Sequence, residues 1–102
     1  MIRRTALFED WMITLRDARA KAAVARRIAR LRDGNPGDAK SIGEGVSEMR
    51  IDYGPGYRVY FTRRGAVVVL LLCGGDKSTQ AKDIAKAKEL ARSWSNDEDE
   101  DR

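Results

Sequence analysis

Residues 46–77, VSEMRIDYGPGYRVYFTRRGAVVVLLLCGGDK, leave this chain few ways to fold. They read as three consecutive strands joined by two tight turns. In 46–52, apolar Val46, Met49 and Ile51 are interleaved with polar Ser47, Glu48, Arg50 and Asp52, an imperfect period of two that suits one covered and one wet face. Tyr53-Gly54-Pro55-Gly56 has turn chemistry, proline presetting φ and glycine accepting positive φ. In 57–64, Tyr57, Val59 and Phe61 alternate with Arg58, Tyr60 and Thr62. After Arg64-Gly65 comes 66–73, a continuous apolar run of the kind found inside a sheet. Parity then groups Arg50, Arg58 and Tyr60 on the exposed face, with Lys77 just past the interior strand.

One domain is expected from 102 residues, and 42% apolar with 35% charged residues describes a globular protein with a heavily charged surface. The 66–73 run is far too short to span a membrane. Residues 1–20 carry Arg3, Arg4, Glu9, Asp10 and Arg16, which is no signal-peptide core, so a cytoplasmic location is expected. The single cysteine, Cys73, reads as a small buried apolar residue. Residues 97–101 are all acidic; the 96 residues before them hold 19 basic and 11 acidic side chains, a balance of +8. So basic a body points toward a polyanion such as nucleic acid, a solvated surface being the plainer alternative. The expected division is a domain over 1–95 and a disordered acidic tail over 96–102.

From the start of the chain, 2–5 reads as a short strand. A helix follows over 7–16, with Phe8, Trp11, Met12 and Leu15 on one stripe, Trp11 as a core anchor. A second helix over 18–31 buries Val24, Ile28 and Leu31 and turns Arg19, Lys21, Arg26, Arg27, Arg30 and Arg32 outward. Asp33-Gly34-Asn35-Pro36-Gly37-Asp38 ends it, closing a helical hairpin that a loop through Gly43 and Gly45 joins to the sheet. The last helix, 80–94, is capped by Ser78 or Thr79 and buries Ile84, Ala87, Ala91 and Trp94. The fold class is α+β: a small, mostly antiparallel sheet with an N-terminal helical hairpin and a C-terminal helix.

Several chemistries are excluded. Without histidine, the usual neutral-pH acid–base and the commonest metal ligand are missing, and no cysteine–carboxylate set suggests a metal; no cofactor is expected. Gly74-Gly75-Asp76-Lys77-Ser78-Thr79 lacks the spaced glycines of a nucleotide-binding loop.

Arg30-Leu31, Gly34-Asn35, Gly37-Asp38, residues 45–51 (GVSEMRI), 54–61 (GPGYRVYF) and 72–80 (LCGGDKSTQ) together resemble one family. In order and spacing the chain is similar to RelE/HigB-type toxins of bacterial toxin–antitoxin modules, in the branch of phage-derived or addiction-module killer proteins. The resemblance implies helices on one face of a small sheet and an active surface on the other. It implies a ribosome-dependent mRNA endoribonuclease that uses no metal, the RNA's own 2′-hydroxyl attacking the adjacent phosphate. Implied partners are mRNA in the ribosomal A site and a HigA-like helix-turn-helix antitoxin, with no membrane. Arg58 matches the arginine that contacts the scissile phosphate, and Arg50 and Lys77 match basic positions beside it. Tyr60 shares Arg58's parity and is placed to stack on a base. Arg63, Arg64, Arg26 and Arg30 are further RNA-binding candidates.

The residue types suit that chemistry. Fixed cations stabilise the charge that builds on a phosphorane-like transition state, and arginine's planar fork can hold two phosphate oxygens. The chain departs from the family in lacking the tyrosine or histidine that relatives place in the last helix or at the C-terminus. Tyr60, Tyr53, Glu48, Asp76 and Lys77 are the available acid–base candidates. The competing reading of Arg58 pairs it with Glu48 or Asp52 across the hairpin. Rival functions are a ParE-like DNA gyrase inhibitor and a degenerate nucleic-acid-binding homologue. The antitoxin is expected to cover or flank the basic face.

Overall fold

A computed structural model describes residues 1–65 and 68–100. The elements are β1 (Ile2–Arg4), α1 (Ala6–Thr14), α2 (Ala18–Arg32), β2 (Ala39–Gly43), β3 (Val46–Ile51), β4 (Tyr57–Arg64), β5 (Val68–Gly75) and α3 (Gln80–Glu100), with a 3₁₀ turn, Lys77–Thr79, before α3. Five strands form one sheet in the order β1-β5-β4-β3-β2. β1 runs parallel to β5, and every other pair is antiparallel. The α+β class therefore holds: a mostly antiparallel sheet, two N-terminal helices and a C-terminal helix. β5 is interior, between β1 and β4, as its unbroken apolar run requires. Among the described residues no helix is long and apolar enough to cross a membrane.

Local chemistry explains the ends of the helices. Thr5 caps α1 by accepting the Phe8 N–H at 3.0 Å, while its hydroxyl donates to the Leu72 carbonyl at 2.6 Å and ties the helix start to β5. Asp17 caps α2 through the Arg19 N–H at 2.9 Å. Asp76 caps the 3₁₀ turn that leads into α3, accepting the Ser78 N–H at 2.8 Å.

The loop expected through Gly43 and Gly45 is in fact a hairpin. β2 pairs with β3 from Ala39↔Met49 onward and turns through Gly43, Glu44 and Gly45, all at positive φ. Ala39-Lys40-Ser41-Ile42-Gly43 has no strong alternation because β2 is an edge strand, bonded on one side only.

Helices cover both faces of the sheet. On one side Phe8, Leu15, Val24, Ile28 and Leu31 of the hairpin pack on Met49, Ile51, Val59, Phe61 and Leu71. On the other, Ala87 and Ala91 of α3 pack on Val46, Tyr60, Leu70, Leu72 and Cys73. This corrects the expectation of one bare sheet face carrying the active surface: α3 lies over that face. α3 also runs past residue 94, where the sequence pattern ends it. The expected start of β5 at 66 and the end of the 96–102 tail fall outside the described residues.

Trp11 is the anchor its spacing predicts. Its ring lies so close to β5 that a methyl at Gly74 would sit 2.3 Å from it, and it meets the Tyr57 ring edge-on at 6.2 Å. Cys73 is buried, which pushes its thiol up to about 12 and leaves it inert at neutral pH.

Candidate functional site

The site grows from the β3–β4 hairpin. In the antiparallel register Arg50 stands opposite Arg58, and Glu48 stands opposite Tyr60. The turn between the strands passes through Gly54 and Gly56 at positive φ, and the Lys77 stem lies against Gly56, 3.4 Å from where a side chain there would begin. Lys77 arrives from the other direction, at the end of β5. An open cavity of about 470 Å³ results, lined by Arg50, Arg58 and Lys77 with Asp38, Asp52 and Tyr57. The three expected cations do share one cavity.

They are not equivalent. Arg50 is an exposed side chain bonded to Asp38 at 2.9 Å. Arg58 is only 8% exposed and bonds Glu48 at 3.0 Å, so it is neither on a wet face nor unpaired. Its pairing across the hairpin follows the competing sequence reading, though as a buried pair rather than a surface one. Lys77 is exposed and has no ion pair among the described residues. Counting Glu48 behind Arg58, three cations face three carboxylates, so the cavity has local positive points rather than a large net charge.

Tyr60 does not face the cavity as expected. It is fully buried beneath α3, and its hydroxyl donates to Glu48 at 2.9 Å. Burial first, and then that hydrogen bond, raise its pKa far above the ordinary tyrosine value. Stacking on a base is closed to it. Glu48, also fully buried, accepts from Arg58, Tyr60 and the Gln80 amide, the last at 2.9 Å. Parity alone places Glu48 on the wet face. The missed signal is that an acid two residues from buried Val46, opposite a tyrosine and diagonal to an arginine, has its donors built in.

The other acid–base candidates are occupied too. Tyr53 donates to Asp17 at 2.9 Å, and that bond raises the phenol and lowers the carboxyl. Asp76 is held below the ordinary carboxylate range by the Ser78 hydroxyl and N–H that it accepts.

The outlying arginines divide. Arg26 and Arg30 line a second depression of about 560 Å³ with Arg27 and Tyr53, sharing Ile51 and Asp52 with the first cavity. Arg27 is the fastener between them, donating to the Arg50, Pro36 and Asp38 carbonyls. Arg63 lies at the far end of β4, roughly 17 Å along the strand from Arg58, and stacks its guanidinium 6.0 Å from the Phe61 ring. Arg64 is a brace, donating to the Ala91 carbonyl of α3 at 2.7 Å. A larger cleft of about 720 Å³ between α1 and α3 is mainly apolar, around Leu7, Trp11 and Ala85, and its two lysines, Lys82 and Lys86, share it with Asp10, Asp83 and Glu89. The smaller cavity, which brings Arg50, Arg58 and Lys77 together, is therefore the candidate site.

Two comparisons with known proteins bear on this geometry. The model of the family described as "Phage derived protein Gp49-like (DUF891)" matches residues 10–93, which take in every element that lines the cavity. An uncharacterized protein of Haemophilus influenzae is 54% identical over 91 residues, covering 89% of this chain and 92% of its own. The chain thus belongs to the phage-derived Gp49-like family, a toxin–antitoxin-related family.

Proposed function

We propose that this protein is the toxin of a toxin–antitoxin module, a cytoplasmic RelE/HigB-type endoribonuclease that cuts mRNA in the ribosomal A site without a metal. One observation carries the reading: Arg50, Arg58 and Lys77 come from three different strands or strand ends and converge on a single open cavity. A phosphodiester seated there meets the exposed Lys77 ammonium and the Arg50 and Arg58 forks. The neighbouring 2′-oxygen passes its proton to solvent water as it attacks phosphorus, and the bond to the 5′-oxygen breaks. The products are a 2′,3′-cyclic phosphate and a protonated 5′-hydroxyl. The cations offset the charge of the transition state. Of the acid–base candidates, Lys77 alone lines the cavity with its side chain unbonded among the described residues, so it serves as proton donor to the leaving oxygen. Arg26 and Arg30, in the adjoining depression, hold flanking phosphates. A HigA-like helix-turn-helix antitoxin that covers these cations would neutralise the toxin.

The experiment is transcript-end mapping after induction in growing cells. Native protein should cut translated messages, and Lys77→Ala and Arg58→Ala should each reduce cutting by about 10²- to 10³-fold. A second reading is favoured by the pairing of two of the three cations: a ParE-like inhibitor of DNA gyrase that acts by protein contact. Intact messages together with DNA damage would establish it and remove the nuclease reading.

A further inference from the structure

The cavity is positioned by a group that does not line it. Glu48 is completely buried, and its two oxygens are shared among three donors from two elements. Oε1 takes the Arg58 guanidinium from β4. Oε2 takes the Tyr60 hydroxyl from β4 and the side-chain amide of Gln80, the first residue of α3. The 3₁₀ turn that begins at Lys77 runs directly into Gln80. Arg58 and Lys77 thus reach the cavity from different directions, yet both trace back to one carboxylate, Arg58 directly and Lys77 through the start of α3.

We infer that Glu48, acting with Gln80, is the positioning residue for the phosphate site: it sets the separation of Arg58 and Lys77 so that both engage one phosphodiester. This rests on the nuclease reading of the cavity. The carboxylate cannot itself take the ribose proton, because it is enclosed and its oxygens are engaged. Its role is orientation. A buried ion pair held by further hydrogen bonds restricts arginine to one geometry, which an exposed pair does not.

The test exploits the shared oxygen. Gln80→Leu and Tyr60→Phe each delete one hydrogen bond to Oε2, but only Gln80 connects that oxygen to a cation of the cavity. The purified protein is titrated with a trinucleotide RNA analogue made uncleavable by 2′-deoxy substitution, with affinity followed by NMR and stability by thermal melting. Gln80→Leu should bind about tenfold more weakly, the effect of about one hydrogen bond. Tyr60→Phe should bind like native protein even if its melting temperature falls. Gln80→Asn, shorter by one methylene, should recover part of the loss if it still reaches Oε2.

Equal losses in Gln80→Leu and Tyr60→Phe would reduce Glu48 to a structural role and overturn the inference, as would native affinity in Gln80→Leu. Arg58→Ala and Lys77→Ala separate the two levels. Should both bind the trinucleotide as tightly as native protein, the phosphate site itself is lost. Should both bind weakly while Gln80→Leu is unaffected, only the positioning role is lost.

Discussion

Arg50 and Arg58 stand opposite each other on neighbouring strands, and each bonds one carboxylate near 3 Å. They differ in depth. The Arg50 and Asp38 side chains are 42% and 58% exposed, whereas those of Arg58 and Glu48 are 10% and 0%. With 42% of its side chain exposed, Arg50 keeps much of its hydration whether or not Asp38 is present, so that pair adds little. Arg58 and Glu48 have given up most of their hydration, and each depends on the other to offset its charge. Nearly the same contact is an optional surface pair on one strand and a structural necessity on the next. Depth sets the consequence of a bond more than its length does.

The largest test of this contrast is Glu48→Ala, which strands the Arg58 charge and removes the acceptor of Tyr60 and Gln80. It should destabilise the fold by about 3–5 kcal/mol in urea unfolding. Asp38→Ala is the matched substitution on the exposed pair and should cost only about 0.2–1 kcal/mol, shrinking further at high salt. Similar costs for the two would break the comparison.

The smallest effect sharpens it at the exposed end. The Tyr53–Asp17 bond holds the Asp17 carboxyl below its ordinary 3.8 and Tyr53 above its ordinary 10.0. Its contribution is complete between those two values. It is lost as pH falls through the depressed Asp17 pKa, and again as pH rises through the raised Tyr53 pKa. Tyr53→Phe should therefore lower the melting temperature slightly at neutral pH and leave it unchanged in strong acid. An undiminished difference in acid would show that the effect of Tyr53→Phe does not depend on the ionised carboxylate.

Much of the fold is legible in the sequence because its signals are local. The apolar stripes of α1 and α2, the alternation in β4 and the turn glycines each show in a window of a few residues. β2 is not legible, since an edge strand of five residues can carry lysine and serine without an apolar pattern. In the site, the sharing of one cavity by Arg50, Arg58 and Lys77 can be read from strand parity and from where β5 ends. The burial of Tyr60 and the engagement of Glu48 cannot. Parity says that Glu48, Arg58 and Tyr60 share a face, and their polarity suggests a wet one. Arg64 shows the same limit: a flanking arginine by sequence, it is fastened in the fold to a carbonyl of α3.

Taken alone, the amino-acid order determined the β3–β4–β5 meander, the helical hairpin and which side chains point the same way. Periodicity encodes orientation along an element, and that is a property of the local backbone. Only the tertiary structure decided which of those faces meets water, because α3, arriving from about 30 residues downstream of Glu48, packs over Tyr60 and bonds Glu48 through Gln80. Burial is set by what packs from elsewhere in the chain. Here it converts Glu48 and Tyr60, two residues of a surface pattern, into buried groups beneath α3.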